Sequence, residues 1–121
     1  MSALADATCE ACRPDSPRVN PEERAELLRQ VPKWQILERE DADRLQREFR
    51  FPDFVQALEF TNRVGDIAEA EGHHPALLTE WGRVTVNWWT HAIRGLHHND
   101  FVMAAKTDRI YDELAVQARA D

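Results

Sequence analysis

His73, His74 and His91 are the residues of this chain best suited to moving protons. They come from two separate segments, Glu69-Ala-Glu-Gly-His73-His74-Pro75 and Trp89-Thr90-His91, and Asp100 follows the second. An unperturbed imidazole titrates at about 6.5, so it can give or take a proton near neutral pH. Three of them delivered from two segments suit a reaction in which one proton is supplied and another removed. A positioned acid or base contributes about 10²–10⁴-fold to such a step. Glu69 lies one turn before the paired histidines, where it could orient one of them or raise its basicity, or be an ordinary helix-surface charge. Asp100 could position His91 or a substrate, or cap a helix. Trp89 and Thr90 flank His91, and an indole there can pack against a flat ring. His97 and His98 read as surface residues.

The elements that must hold these groups follow from local signals. Asn20 is a good N-cap, Pro21 suits a first helical position, and Glu22 and Glu23 favour a helix start; Leu27, Leu28 and Val31 form its apolar stripe, and Pro32 stops it. Trp34–Glu38 and Leu45–Phe51 alternate as strands around a polar turn at Glu40-Asp41-Ala42-Asp43. Arg47 interrupts the apolar face of the second strand, its stem covering the sheet edge. Pro52-Asp53 opens what reads as the longest helix, with Ala57, Phe60, Val64 and Ile67 at helical spacing and Gly72 closing it. His73 and His74 therefore stand just beyond a helix end. Leu77–Trp81 and Val84–Thr90 form a second hairpin around Gly82-Arg83, with Trp34 and Trp88 in the core and Trp81 packing the hairpin. Asn99 or Asp100 caps a last helix whose inward stripe is Met103, Thr107, Ile110 and Leu114. The expectation is an α+β fold in the order α-β-β-α-β-β-α, a four-stranded antiparallel sheet with helices packed on one face.

A chain of 121 residues with 43% hydrophobic and 31% charged side chains is one ordinary globular domain. Folding at this size removes roughly 65% of the unfolded surface from water, enough for a core without disulfides or structural metal. The net charge of −7 argues against a nucleic-acid partner, whose phosphates need a lysine and arginine surface. No apolar run is long enough to cross a bilayer, and Met1–Asp6 lacks the features of a signal peptide, so a cytoplasmic location is expected. Residues 1–20, with Pro14, Ser16 and Pro17, read as a flexible arm ahead of a single domain at 21–121. Cys9 and Cys12 in that arm form a C-x-x-C pair, read as two solvent-facing thiols rather than half a zinc site or a redox pair. No metal is expected.

Glu69, His73-His74-Pro75, Trp81, His91 and Asp100 stand at spacings that resemble the pterin-4a-carbinolamine dehydratase family, also known as the dimerization cofactor of a homeodomain transcription factor. The likeness runs from about Glu22 to Leu114. It implies dehydration of 4a-hydroxytetrahydropterin to quinonoid dihydropterin, which recycles the pterin used by aromatic amino acid hydroxylases. It also implies no metal or organic cofactor, and a homodimer or homotetramer. Carried onto this chain, His73, His74 and His91 would be catalytic, with acid and base left unassigned among them. Glu69, Pro75, Trp89, Thr90 and Asp100 would meet the substrate. The alternative is a non-catalytic protein-binding module of the transcription-factor cofactor type. A third reading, a metal site drawing on Cys9, Cys12 and the histidines, would need stoichiometric zinc.

Overall fold

Asn20 and Asp53 begin two of the helices by the same device. The computed structural model describes residues 3–9, 18–39 and 42–120. The Asn20 side chain accepts from the Glu23 amide at the start of α1 (Pro21–Gln30), with Pro21 in the first turn. The Asp53 carboxylate accepts from the Gln56 amide at 2.9 Å at the start of α2 (Phe54–Glu71). Each cap satisfies an amide that the helix cannot pair internally. At the far end of α2, Gly72 has φ of 64°, a left-handed conformation that glycine adopts without a side-chain clash.

Four strands, β1 (Gln35–Arg39), β2 (Ala42–Arg50), β3 (Ala76–Glu80) and β4 (Arg83–Trp88), make one antiparallel sheet ordered β1-β2-β4-β3. In the central pair Leu45 stands opposite Trp88 and Phe49 opposite Val84, so the apolar side chains share a face. Helices α1, α2 and α3 (His98–Ala120) complete the expected α+β order, and the helices pack on that face. Leu45, Phe49, Val84, Val86 and Trp88 from the sheet meet Ala57, Phe60 and Val64 from α2 and Phe101, Val102 and Met103 from α3. Burying a large apolar side chain fully contributes about 1.5–3 kcal/mol, and this layer holds the two catalytic-looking segments in register.

Several details differ from expectation. The longest helix is α3 at 23 residues, against 18 for α2, because neither proline nor glycine interrupts it between His98 and Ala120. The first hairpin closes more tightly than expected: Ala42 pairs with Arg39 and Asp43 with Glu38, while Glu40 and Asp41 lie outside the described residues. Arg47 does not cover the sheet edge. It points inward, donating to Asp108 Oδ1 at 2.5 Å, with its guanidinium over the Phe49 ring. Trp34 Nε1 donates to the same oxygen at 2.8 Å. Burial raises the Asp108 carboxyl above the ordinary range, against the opposing pull of these two donors. Trp81 does not pack the hairpin either; it is 73% exposed.

Within the segment read as an arm, Ala3–Asp6 forms a 3-10 turn, and Leu4 and Ala5 are buried against α3. Lys106 Nζ donates to the Ala5 carbonyl at 3.0 Å and Arg109 to Asp6 at 2.6 Å. Cys9 is half-buried rather than solvent-facing, its amide donating to Glu71 Oε1 at 2.8 Å. Burial first, then the neighbouring Glu71 charge, pushes its thiol up to about 12. Cys12 lies outside the described residues. Among the described residues no helix is long and apolar enough to cross a membrane.

Candidate active site

The end of α2 delivers the first two histidines. Beyond Gly72, the His73 amide donates back to the Ala68 carbonyl at 3.1 Å, the six-to-one bond of a Schellman ending. That bond turns the chain so that the His73 ring enters the interior while His74, one residue on, faces water. His73 is 8% exposed and lies parallel to the Trp88 indole, with centroids 5.7 Å apart and an interplanar angle of 6°. Its Nε2 donates to Asp100 Oδ1 at 2.7 Å.

Asp100 is the junction of the site. It is 0% exposed. Its Oδ2 accepts from the Thr90 hydroxyl at 2.8 Å and from the His97 amide at 2.8 Å. The Asn99 amide in turn donates to His97 Nδ1 at 3.0 Å. His97 and Asp100 thus form a reciprocal capping box at the start of α3, with an imidazole in place of the usual hydroxyl. The expected cap by Asn99 or Asp100 is corrected accordingly: His97 is the cap, and Asp100 supplies the returning carboxylate. The reading of His97 as a surface residue is also overturned, since it is buried, and His98 is half-buried. The spacing His97-x-x-Asp100 carried this signal, masked by the rarity of histidine as a cap.

Asp100 therefore binds together the helix exit at His73, the strand exit at Thr90 and the start of α3. With Nε2–H committed to a carboxylate, a neutral His73 carries its lone pair on Nδ1, the nitrogen left to act as a base. Asp100 holds His73, not His91. His91 lies on the other side of the strand end: exposed, in the 3-10 turn His91–Ile93, with its ring 4.4 Å from that of Trp89. The Arg44 guanidinium sits 3.7 Å over the Trp89 ring, a stack hidden from the sequence because Arg44, on β2, and Trp89, just past the end of β4, are far apart in the chain. His74 is 59% exposed and pairs through Nε2 with Glu69, itself on the surface. Pro75 is half-buried between that pair and β3.

The structure joins His73, Trp88, Thr90, His97 and Asp100 in one buried cluster, His74 and Glu69 in an exposed pair, and His91, Trp89 and Arg44 in a third contact set. Among the described residues no group of three or more His, Cys, Asp and Glu side chains is placed to hold a metal ion. Cys9 Sγ lies instead 4.0 Å from the Asn99 carbonyl oxygen.

Residues 17–110 match the family model of pterin 4 alpha carbinolamine dehydratase. A relative in Gloeobacter violaceus, named "Putative pterin-4-alpha-carbinolamine dehydratase 1", is 65% identical over 88% of this chain and 92% of its own length. One in Nitrosococcus oceani, named "Putative pterin-4-alpha-carbinolamine dehydratase", is 57% identical over 91% of this chain and 97% of its own. A transcriptional coactivator/pterin dehydratase from Brucella melitensis has a similar solved structure, with a TM-score of 0.71 and 32% identity, covering 78% of this chain and 99% of that one.

Proposed function

This chain belongs to the pterin 4 alpha carbinolamine dehydratase family, and from that premise we propose that it removes water from 4a-hydroxytetrahydropterin by histidine acid–base catalysis. In this reaction the C4a–O bond breaks as the hydroxyl takes up a proton and leaves as water. The N5 proton is removed, and its electron pair forms the C4a=N5 bond of quinonoid dihydropterin. Both transfers run near neutral pH, which suits imidazoles.

The observation that carries the reading is the buried Asp100 junction, which holds His73 in a defined orientation beside the strand exit of His91. A carboxylate on one imidazole nitrogen fixes the tautomer and stabilises the charge that forms when the other nitrogen accepts a proton. The His73 and His91 rings stand on opposite sides of the strand exit, so one substrate must reach both: His73 and His91 handle the two transfers, and His74, paired with Glu69, orients the substrate and assists. Trp89, packed with His91 and Arg44, borders the pterin together with Pro75, and Thr90, buried on Asp100, supports the site from behind.

Replacing His73 or His91 by alanine, separately, should lower carbinolamine loss, followed by ultraviolet absorbance, by about 10²–10⁴-fold in each case. Wild-type rates in two folded variants would refute the assignment. The product feeds the recycling of the pterin used in aromatic amino acid hydroxylation, in the cytoplasm. The binding-module alternative has support in the coactivator name of the Brucella relative. A chain kept only for binding has no need of the His-His-Pro run or of His91, and this one has both.

The active form is a homodimer or homotetramer. Edge strand β3 exposes Leu78, Trp81 stands at its turn, and α2 exposes Phe54, Val55 and Leu58, surfaces that a second copy would cover. Light scattering should return a multiple of 14.0 kDa, and a monomer at assay concentration would overturn this part.

A further inference from the structure

We propose that Arg18 is a positioning residue for His91, fixing the turn that presents this imidazole; the inference rests on the role given to His91 above. The turn is weakly supported from within. Thr90 N–H donates to the Gly95 carbonyl at 2.9 Å, but the return bond is 3.4 Å long. Inside it, Ile93 N–H to Thr90 O and Arg94 N–H to His91 O are each 3.3 Å. Arg94 has φ of 50°, a left-handed conformation unfavourable for a residue with a side chain. The Trp89 ring touches the His91 imidazole but not the turn that carries it, and with long bonds and a left-handed residue inside it the turn itself needs a brace from outside.

Arg18 supplies it. Its Nε and Nη2 both donate to the Ile93 carbonyl, at 2.9 and 2.6 Å. The next residue extends the clamp, Val19 N–H donating to the Leu96 carbonyl at 3.0 Å. The Arg18 side chain also lies directly over Gly95: a Cβ there would stand 3.0 Å from Nε and 3.2 Å from Cδ. Gly95 is thus the residue whose lack of a side chain admits the guanidinium. Both ends of the segment from Ile93 to Leu96 are tied to the chain just before α1, and His91 projects from the turn so fixed. Arg18 touches neither the histidine nor, on this reading, the substrate.

The test combines turnover with a direct reading of His91, through the pH titration of its Cε1 proton in the NMR spectrum, assigned by its loss in His91→Ala. Arg18→Ala should lower kcat about tenfold or more with KM changed less than about twofold, the pattern of a displaced catalytic group. It should also shift or broaden the His91 titration while leaving that of His74 in place. Arg18→Lys keeps one donor and should recover part of the loss. Gly95→Ala should reproduce the Arg18→Ala effect by pushing the guanidinium aside, and should add nothing in the Arg18→Ala background. This second route keeps the test informative if Arg18→Ala folds poorly. A kcat within about twofold of wild type in Arg18→Ala overturns the proposal. So does a fall in kcat with an unchanged His91 titration, and so do independent, additive losses from the two sites. Absence of dehydratase turnover in the wild type would sink the functional reading instead, and the His91 titration would still decide the role of Arg18.

Discussion

His73 and His74 are adjacent in the chain, and each pairs through Nε2 with one carboxylate, yet they occupy opposite environments. His73 and Asp100 are buried; His74 and Glu69 both face water. The inner pair is held by the Trp88 stack, the Thr90 hydroxyl and the capping box of α3. The outer pair is held by its own contact at the end of α2. Charges in water are screened and their side chains mobile, so a surface pair of this kind contributes little. A buried carboxylate with three donors cannot be released without stranding all three. The same pairing therefore gives one imidazole of fixed orientation and one free to adapt, a division that suits a proton-transfer group beside a substrate-orienting one.

The two pairs differ most at their carboxylates. Asp100→Ala should destabilise the protein by about 3–5 kcal/mol in urea unfolding, because it strands the His73 ring, the Thr90 hydroxyl and the His97 amide. Glu69→Ala should leave the unfolding midpoint unchanged. Equal losses in the two variants would mean that the inner pair is no more than a surface contact.

Cys9 reports on the closure of the inner region from another direction, through its contacts with Glu71 and Asn99. With the thiol raised from 9.0 to about 12, the thiolate fraction at pH 8 falls about 10³-fold, while the greater nucleophilicity of a more basic thiolate returns about 10–30-fold. In a Cys12→Ser variant, alkylation of Cys9 should therefore run about 30–100-fold slower in the folded protein than in urea. The linkage has a definite sign: the folded value is raised, so the contribution of this group is present below pH 9 and is lost as pH rises toward 12. Rapid alkylation in the native state would show the inner region to be open.

Why the fold was legible and the site only partly so follows from the same contrast. Periodicity exposed the buried stripe of α2 through Ala57, Phe60 and Val64, and alternation exposed Val84, Val86 and Trp88, because these patterns repeat along one element. Asn20, Asp53 and Gly72 are local signals of a few residues. The site is non-local. His73 meets Asp100 from 27 positions away, and Trp89, just past β4, meets Arg44 on β2. Spacing identified His73, His91, Thr90 and Asp100 as a group, but could not say that Asp100 serves His73, nor that Trp88 and Trp89 each take one imidazole on opposite sides of the strand. The inward turn of Arg47 is hidden for a like reason: its partner Asp108 lies on α3, beyond any window along β2.

A milder test removes one support and leaves the junction standing. Thr90→Val keeps the shape of the side chain and deletes the hydroxyl that donates to Asp100 Oδ2. The His73 and His97 donors remain, so the loss should be about 1.5 kcal/mol, the value of one hydrogen bond to a charged group. Turnover should fall with it as the hold of Asp100 on His73 loosens. A loss as large as that of Asp100→Ala would mean that the hydroxyl, not the carboxylate, organises the cluster.

The smallest effect is expected at Asp108, a half-buried carboxylate with two donors where Asp100 has three. Asp108, two turns further along α3, takes both Trp34 Nε1 and Arg47 Nη1 on one oxygen, and burial still raises its carboxyl above the ordinary range. A raised folded value means that the native state binds the proton more readily than the unfolded chain. The contribution of Asp108 to stability is then greatest at acid pH and is lost as pH rises through the carboxylate range. Asp108→Asn keeps an acceptor for both donors and removes the titration. The stability of wild type relative to Asp108→Asn, from urea unfolding at several pH values between 4 and 7, should decline as pH rises. A rise instead would mean that the Arg47 charge and the Trp34 donor outweigh desolvation, and that two donors suffice to hold a carboxylate ionised in this core.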